Sequence, residues 1–183
     1  MNASLLSDRL WPQTGIARNV VLAVLGSLLV TAAAQVNVPM LPVPMTLQSL
    51  AVLVIGAAYG ARLGAATLAL YALQGALGLP VFAGFKSGVM LASFGYVLGF
   101  IAAAYVVGYL AERGWDRSPL KMFAAMMLGA VVIYVPGLIW LSAWIGAAKA
   151  FEFGLLPFIA GDVVKAAVAA LGFPAAWALL GRR

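Results

Sequence analysis

The sequence predicts an all-α integral membrane protein, and three observations carry that prediction. Of the 183 residues, 65% are hydrophobic and only 9% are charged, whereas a soluble domain has about 25% charged residues. The apolar residues form segments close to the roughly 20 residues that a helix needs to cross a bilayer. Charges and turn residues separate these segments. We therefore predict a compact bundle of six transmembrane helices that forms a single domain, residues 1–183.

The six spans follow from the positions of charges, prolines and glycines, and we place them near 19–36, 47–61, 63–79, 89–111, 121–146 and 157–180. The second segment is short for a full crossing, so it is either tilted or extended by part of the loop before it. That loop, "NVPMLPVPM" (37–45), cannot continue a helix because it contains three prolines within six residues.

The basic residues predict the orientation of the bundle. If the N-terminus is cytoplasmic, only Lys86 and Lys149 fall in external loops, and Lys165 falls within the last span. The other basic residues then face the cytoplasm, as membrane proteins prefer: Arg9, Arg18, Arg62, Arg113, Arg117, Lys121, Arg182 and Arg183. Both termini are therefore predicted to be cytoplasmic. The same bias accounts for the net charge of +6, and no basic run with interleaved aromatic residues indicates nucleic acid.

Missing residue types exclude several function classes. The chain has no Cys and no His, so it lacks the commonest metal ligand, the commonest general base and any thiolate nucleophile. It also lacks the G-x-x-x-x-G-K-[ST] pattern of a phosphate-binding loop. We therefore predict a protein that is not an enzyme and needs no cofactor. Energy for uphill transport would come from another subunit or from an ion gradient.

One charged turn lies in the last predicted span, within "GDVVKAAVAA" (161–170). Asp162 and Lys165 are three residues apart and share one face of the helix. One interpretation is an ion pair that only neutralises itself, or a lysine that reaches outward to water. The other is a binding site, because ionisable residues inside a membrane are usually functional. A carboxylate and an ammonium together suit a small polar ligand.

The external loops supply further candidate residues. In "PVPMTLQ" (42–48), Thr46 is placed to cap the next helix and Gln48 carries an amide one turn inside it. In "GALGLPVFAGFKSG" (75–88), Gly84 permits close approach of the backbone and Phe82 offers an apolar wall. Simple helix connections remain the alternative for both segments.

Aromatic and small residues leave two alternatives each. Trp140 lies one turn from Trp144, so the pair forms either an interfacial aromatic belt or a flat wall for a ligand. Ala23, Ser27 and Thr31 share one face of the first span, and Gly95, Gly99 and Ala103 share one face of the fourth. Such faces let helices approach closely, either within the bundle or against a membrane partner.

Four motifs in this order resemble one known family: "PVPMTLQSLAVLVIGAAYGARLGAATLALYALQGALGLPVFAG", "GYVLGF", "GLIWLS" and "PFIAGDVVKAA". The chain resembles BioY, the biotin-specific substrate-binding S component of energy-coupling-factor transporters, from about residue 20 to residue 180. PVPxTLQ combined with GDxxK is specific to that family. The resemblance implies a multi-pass protein of a prokaryotic cytoplasmic membrane that binds biotin near the external side, under the loop that follows the first helix.

The resemblance also implies roles for particular residues. Asp162 and Lys165 would contact biotin, with Lys165 at either the ureido oxygen or the carboxylate. Tyr96 and Trp140 would be wall residues, and Gln48 would help to shape the lid. Lys86 lies roughly where many members have Asn, in a shorter loop, so it either reaches the ligand's carboxylate or faces water.

Partners complete what the resemblance implies. A transmembrane coupling protein and two cytoplasmic ATPase subunits would use ATP, and the chain itself would sit among membrane lipids. Ala23 and Ser27 resemble the Ala-x-x-x-Ala docking motif of S components. The alternative is a stand-alone, ion-coupled carrier or facilitator for a small carboxylate-bearing solute, in which Asp162 is a protonatable switch.

Overall fold

The structure is a computed structural model that describes residues 5–12 and 14–180. It is almost entirely helical, as the composition predicts. Two of the basic residues that we predict to be cytoplasmic, Arg182 and Arg183, lie outside the described residues. The helices are α1 (Leu6–Leu10), α2 (Ile16–Gln35), α3 (Gln48–Tyr59), α4 (Ala61–Ala76), α5 (Phe94–Ala111), α6 (Pro119–Ile145), α7 (Ala147–Gly154) and α8 (Leu156–Leu180).

Each of the six predicted spans coincides with one helix: α2, α3, α4, α5, α6 and α8. The largest error is at the start of α5, which begins at residue 94 rather than 89. The backbone N–H of Phe94 donates to Leu91 O in a turn before the helix. Lys149, which we predict to lie in an external loop, belongs to the short helix α7.

Four described segments are long and apolar enough to cross a membrane: Ile16–Gln35, Phe94–Ala111, Pro119–Ile145 and Ala147–Leu180, the last formed by α7 and α8 together. α3 is apolar but has only 12 residues, and α4 has 16. At 1.5 Å per residue they extend about 18 and 24 Å, less than the roughly 30 Å hydrocarbon layer.

Glycines let the helices of the centre pack closely. α3 and α4 form a tight antiparallel hairpin about Gly60, whose φ of 83° suits glycine. α5 lies in the middle and packs against α3, α4 and α6. A Cβ on Gly99 would lie 2.7 Å from Ile133 O of α6. The small-residue face of the fourth predicted span therefore packs inside the bundle.

The connections divide the molecule into two ends. One end contains a cavity between the helices, so we call it the cavity end; it is formed by 36–47, 77–93 and 146–155. The opposite end, called the far end, is formed by Gly60, by 112–118 and by the start of α2. At the cavity end, strands β1 (Asn37–Val38) and β2 (Met45–Thr46) pair antiparallel, with Asn37 opposite Thr46. This hairpin carries the prolines of the predicted loop and brings Thr46 to the start of α3.

Candidate functional site: an apolar cavity with a buried ion pair

A cavity opens at the cavity end between α3, α5, α6, α8 and the β1–β2 hairpin. It has a volume of about 640 Å³, counted with the solvent space at its mouth. The walls are mostly apolar, with a few polar groups on one side: Val43, Pro44, Thr46, Gln48, Ser49, Phe82, Ala83, Ser93, Tyr96, Val97, Phe100, Ile133, Tyr134, Phe158, Asp162 and Lys165.

The charged turn of α8 forms the polar side of this cavity. Lys165 Nζ lies 3.1 Å from Asp162 Oδ1, and the two side chains are only 16% and 9% exposed. Both line the cavity. Asp162 and Lys165 therefore form an ion pair, as one interpretation of the sequence holds. The pair also lines a cavity, as the interpretation of a binding site requires.

Ser49 and Tyr134 join the pair, and neither was among the predicted residues. Ser49 Oγ donates to Asp162 Oδ1 at 3.1 Å and accepts from Lys165 Nζ at 2.8 Å. Tyr134 Oη donates to Asp162 Oδ2. We call Asp162, Lys165, Ser49 and Tyr134 the Asp162 centre. Ser49 directly follows Gln48 in the predicted motif, and Tyr134 is a polar residue within a predicted span, so both carried a usable signal.

The members of the Asp162 centre differ in their remaining hydrogen-bonding capacity. An ammonium has three donors, and Lys165 gives them to Thr46 O at 2.9 Å, to Ser49 Oγ and to Asp162 Oδ1. A carboxylate has about four acceptor sites, and Asp162 uses three of them. Asp162 can therefore accept a further N–H, whereas Lys165 must give up a partner to bind a ligand.

Gln48 and Thr46 connect the hairpin to α4 and to the loop after it. Thr46 Oγ1 accepts the backbone N–H of Gln48 at 3.2 Å, which satisfies a free donor at the start of α3. Gln48 Nε2 donates to Tyr71 Oη at 2.6 Å, and that hydroxyl donates to Val81 O at 3.0 Å. Thr46 and Gln48 thus belong to one hydrogen-bond network at the edge of the cavity, and the lid role of Gln48 stays a prediction.

Aromatic rings form another part of the wall. Phe82 contacts Tyr71 and Phe94 edge to face, with centroid distances of 5.5 and 6.1 Å. Tyr96 lines the cavity and donates its hydroxyl to Gly154 O at 2.9 Å. The structure thus places both Phe82 and Tyr96 at the cavity, and their contact with a ligand stays a prediction.

Three predicted site residues do not line the cavity. Trp140 packs against Phe94 and donates Nε1–H to Leu91 O at 2.9 Å, so it stands behind the wall. Gly84 lies in an exposed 3-10 turn with a φ of 68°, and Lys86 follows it with an exposed side chain. Direct ligand contact by these residues stays a prediction.

The predicted docking pair is only partly accessible. Ser27 is fully buried and donates Oγ–H to Val24 O at 3.1 Å, while Ala23 is partly exposed. At the neighbouring position, a Cβ on Gly26 would lie 2.6 Å from Thr67 Cγ2 of α4. This face of α2 therefore packs against the bundle in the present structure, and docking through Ser27 stays a prediction.

Comparisons with known proteins decide the family. The model of the BioY family matches residues 2–182. The chain belongs to the BioY family. It is 39% identical over 158 residues to a probable biotin transporter BioY of Pyrococcus horikoshii, covering 85% of this chain and 93% of that protein. It is 36% identical over 158 residues to the biotin transporter BioY of Thermotoga maritima, covering 84% and 92% respectively.

A solved structure shares the fold. The S component for biotin from an energy-coupling-factor transporter superposes with a TM-score of 0.71 and 19% sequence identity, covering 87% of this chain and 90% of that one. This BioY-family chain is thus a prokaryotic membrane protein with an S-component fold, and its family implies a role other than catalysis. Within the described ranges, no three acidic, His or Cys side chains lie close enough to hold a metal ion.

Proposed function

We propose that this chain is the biotin-binding subunit of an energy-coupling-factor transporter and captures biotin for uptake across the cytoplasmic membrane. The observation that carries the proposal is the Asp162 centre, a buried polar cluster in the wall of an otherwise apolar cavity. Biotin combines a ureido group, an apolar thioether ring and a carboxylate-ended chain, so it suits such walls. The names of the relatives support this substrate.

The pose follows from the remaining hydrogen-bonding capacity. Asp162 has an acceptor site left, so it receives a ureido N–H of biotin. Lys165 has all three donors engaged, and its main role is to hold Asp162 and the Thr46 carbonyl in place. Tyr134 and Ser49 keep the carboxylate oriented. The apolar rings of Phe82 and Tyr96 pack against the thioether ring.

The bundle is proposed to cross the membrane six times with both termini in the cytoplasm. α3 and α4 are shorter than the hydrocarbon layer, so their hairpin spans it with the help of flanking residues and local thinning of the bilayer. The cavity end faces outward. A chain without Cys permits a direct test. Lys149→Cys at the cavity end should react in intact cells with a maleimide that cannot cross membranes, whereas Lys121→Cys at the far end should react only after lysis. The reverse pattern would refute this orientation.

Partners supply the energy in this proposal. The chain needs no cofactor of its own, because a transmembrane coupling subunit and two cytoplasmic ATPases provide ATP hydrolysis. Ala23 and the exposed side chains next to it on α2, such as Val24, meet the coupling subunit. Ser27 then acts by keeping α2 close to α4 rather than by touching the partner.

The decisive experiment is calorimetric titration of the purified chain in detergent with biotin and with biotin methyl ester. We expect about one biotin per chain. If Lys165 acts through Asp162, Lys165→Gln weakens acid and ester equally. If Lys165 binds the carboxylate, the wild type prefers the acid and Lys165→Gln removes that preference.

Two outcomes would contradict the proposed function. A folded, monodisperse sample that binds no biotin would refute the substrate. Biotin uptake by the chain alone in liposomes, abolished by a protonophore, would instead support the ion-coupled carrier. Lys121→Gln is a matched charge control, because Lys121 is exposed at the far end of the bundle.

A further inference from the structure

A second, polar groove lies at the far end of the bundle, between α2, the start of α4 and the end of α5. Its volume is about 1,020 Å³ with the solvent space at its mouth. Unlike the apolar cavity, it is lined mainly by two arginines, an asparagine, a glutamate and three tyrosines, together with two apolar residues. The lining residues are Arg18, Asn19, Tyr59, Ala61, Arg62, Leu63, Tyr105, Tyr109 and Glu112. The proposed biotin site does not use any of these residues.

Arg18 is a buried cation with an unused donor. Its side chain is only 9% exposed, and one terminal nitrogen donates to Asp8 Oδ1 of α1 at 3.0 Å. Its Nε is buried and has no hydrogen-bond partner among residues 5–12 and 14–180. A buried donor without a partner is destabilising, more so when the group is charged. Arg18 also lines the groove, so a ligand there would meet this guanidinium group.

The residues that line the groove include two arginines and one glutamate, and Asp8, outside the lining, pairs with Arg18. Arg62 is exposed in the first turn of α4. Glu112 is the one acidic residue among the lining, and its Oε1 already accepts the backbone N–H of Ala61 at 2.9 Å. Arg62 forms no ion pair among residues 5–12 and 14–180, so its charge favours an anion in the groove. An arginine fork matches the oxygens of a phosphate group especially well.

The surroundings indicate where that anion comes from. Tyr105 and Tyr109 are 49% and 43% exposed on the outer side of α5, and tyrosine concentrates at membrane–water interfaces. Exposed apolar side chains of α2, including Val20 at 55% and Leu25 at 53%, continue along the bundle from the same end. Basic pockets between membrane helices at such an interface bind anionic headgroups.

From this geometry we infer that the far-end groove binds the phosphate of an anionic phospholipid through Arg18 and Arg62. The phosphate accepts hydrogen bonds from the guanidinium groups of Arg18 and Arg62. Its acyl chains stay in the membrane beside α2 and α5. A free phosphate ion shares this chemistry, and the experiment separates the two sources.

The test measures binding of dioctanoyl phosphatidylglycerol to the full chain in a neutral detergent, with dioctanoyl phosphatidylcholine and inorganic phosphate as comparison ligands. The Arg18→Gln/Arg62→Gln double variant should bind the anionic lipid about thirtyfold more weakly. The matched control is Arg9→Gln/Lys121→Gln, which removes the same charge from two exposed residues outside the groove. This control should bind like the wild type.

Asp8→Asn separates the proposed site from a structural ion pair. It removes the Asp8 contact but leaves Arg18, so it should retain or strengthen lipid binding. Biotin binding at the opposite end checks that each variant is folded, and it also makes failure of this inference distinguishable from failure of the proposed function.

The results divide clearly. Binding of phosphatidylglycerol that depends on both arginines, with no effect of millimolar inorganic phosphate, supports a lipid site. Equal competition by inorganic phosphate would assign the groove to free phosphate and overturn the lipid. Equal binding of the zwitterionic lipid, or unchanged binding in the double arginine variant, would overturn the anion site altogether.

Discussion

Two buried aspartates are held near opposite ends of α8, and they are partnered in different ways. Asp162 at the cavity end is 8% exposed, receives hydrogen bonds from Ser49, Lys165 and Tyr134, and borders a cavity. Asp116 at the far end is fully buried. Trp177 donates to its Oδ2 at 2.6 Å, while its Oδ1 has no hydrogen-bond partner within the described part of the chain.

The difference indicates that Asp162 serves ligand binding, whereas Asp116 holds two segments of the fold together. Asp162 pairs with the charged Lys165 and borders the cavity, so it can accept a hydrogen bond from a ligand without rearrangement of the helices. Asp116 joins the turn before α6 to the end of α8, and Arg117 lies 4.6 Å above the Trp177 ring in the same contact. We therefore expect substitutions of Asp162 to change biotin affinity and substitutions of Asp116 to change stability.

The largest effect should come from Asp162→Asn. The amide cannot pair with Lys165 as a charge does, and one of its terminal atoms is a donor, so the ureido N–H loses its acceptor. Hydrogen bonds to charged groups contribute about 1.5–3 kcal/mol, so biotin affinity should fall roughly a hundredfold. Calorimetric titration measures it. Asp116→Asn is the matched control, and a similar loss of affinity in that variant would collapse the comparison.

Ser49→Ala should have an intermediate effect. The hydroxyl bridges Asp162 Oδ1 and Lys165 Nζ, so its loss loosens the carboxylate without removing a charge. A neutral hydrogen bond contributes about 1 kcal/mol, which corresponds to about fivefold weaker binding of biotin. Ser142→Ala provides the control, because the Ser142 hydroxyl donates within its own helix, to Ile139 O. Wild-type affinity in Ser49→Ala would show that the carboxylate needs no bridge.

The pH dependence of unfolding should sharpen the role of Asp116. Burial raises the pKa of Asp116 above its ordinary value of 3.8, although Trp177 and Arg117 act to lower it. Between 3.8 and the raised pKa the folded state binds more protons, so stability relative to the unfolded state falls as pH rises through this window. Above the window the contribution is constant.

Asp116→Asn lacks that titration. Lowering the pH from 7 toward 4.5 should therefore raise the melting temperature of the wild type relative to Asp116→Asn, as measured by nanoscale differential scanning fluorimetry. Parallel profiles of the two proteins would contradict a raised pKa. Biotin affinity at pH 7 should be the same in both.

The smallest effect should come from Lys86→Gln. Lys86 is exposed and lies outside the lining of the cavity, and surface substitutions usually change free energies by less than about 0.5 kcal/mol. Biotin affinity should stay within about twofold of the wild type in the same titration. A tenfold loss would mean that Lys86 reaches the ligand when the loop closes, as one sequence interpretation holds.

The sequence predicted the helices well because hydrophobicity, proline and charge act locally. All six predicted spans match helices, including the short α3. The helix α7 was missed because its eight residues, "AAKAFEFG", are too few and too polar to register as a span. The same local signals do not show whether α3 and α4 cross the membrane fully.

The site was predicted only in part because contacts across helices are not local. The spacing of Asp162 and Lys165 on one helix indicated their shared face. Nothing in that spacing indicated Ser49 of α3 or Tyr134 of α6, which approach from other elements. Conversely, Trp140 is predicted as a wall residue but does not line the cavity. Its indole N–H donates to Leu91 O, and its ring packs against Phe94.

The ring of Phe82 rests directly on Gly75 of α4, where a Cβ would lie 2.0 Å from the ring's Cζ. Phe82 also forms part of the cavity wall. A methyl group at position 75 would have to push this ring forward into the space that the solute occupies. The width of the cavity at Phe82 is thus limited by the absence of a side chain at Gly75, a residue that does not itself line the cavity. A substitution at Gly75 can therefore change which ligands fit the cavity, although residue 75 lies outside the cavity lining.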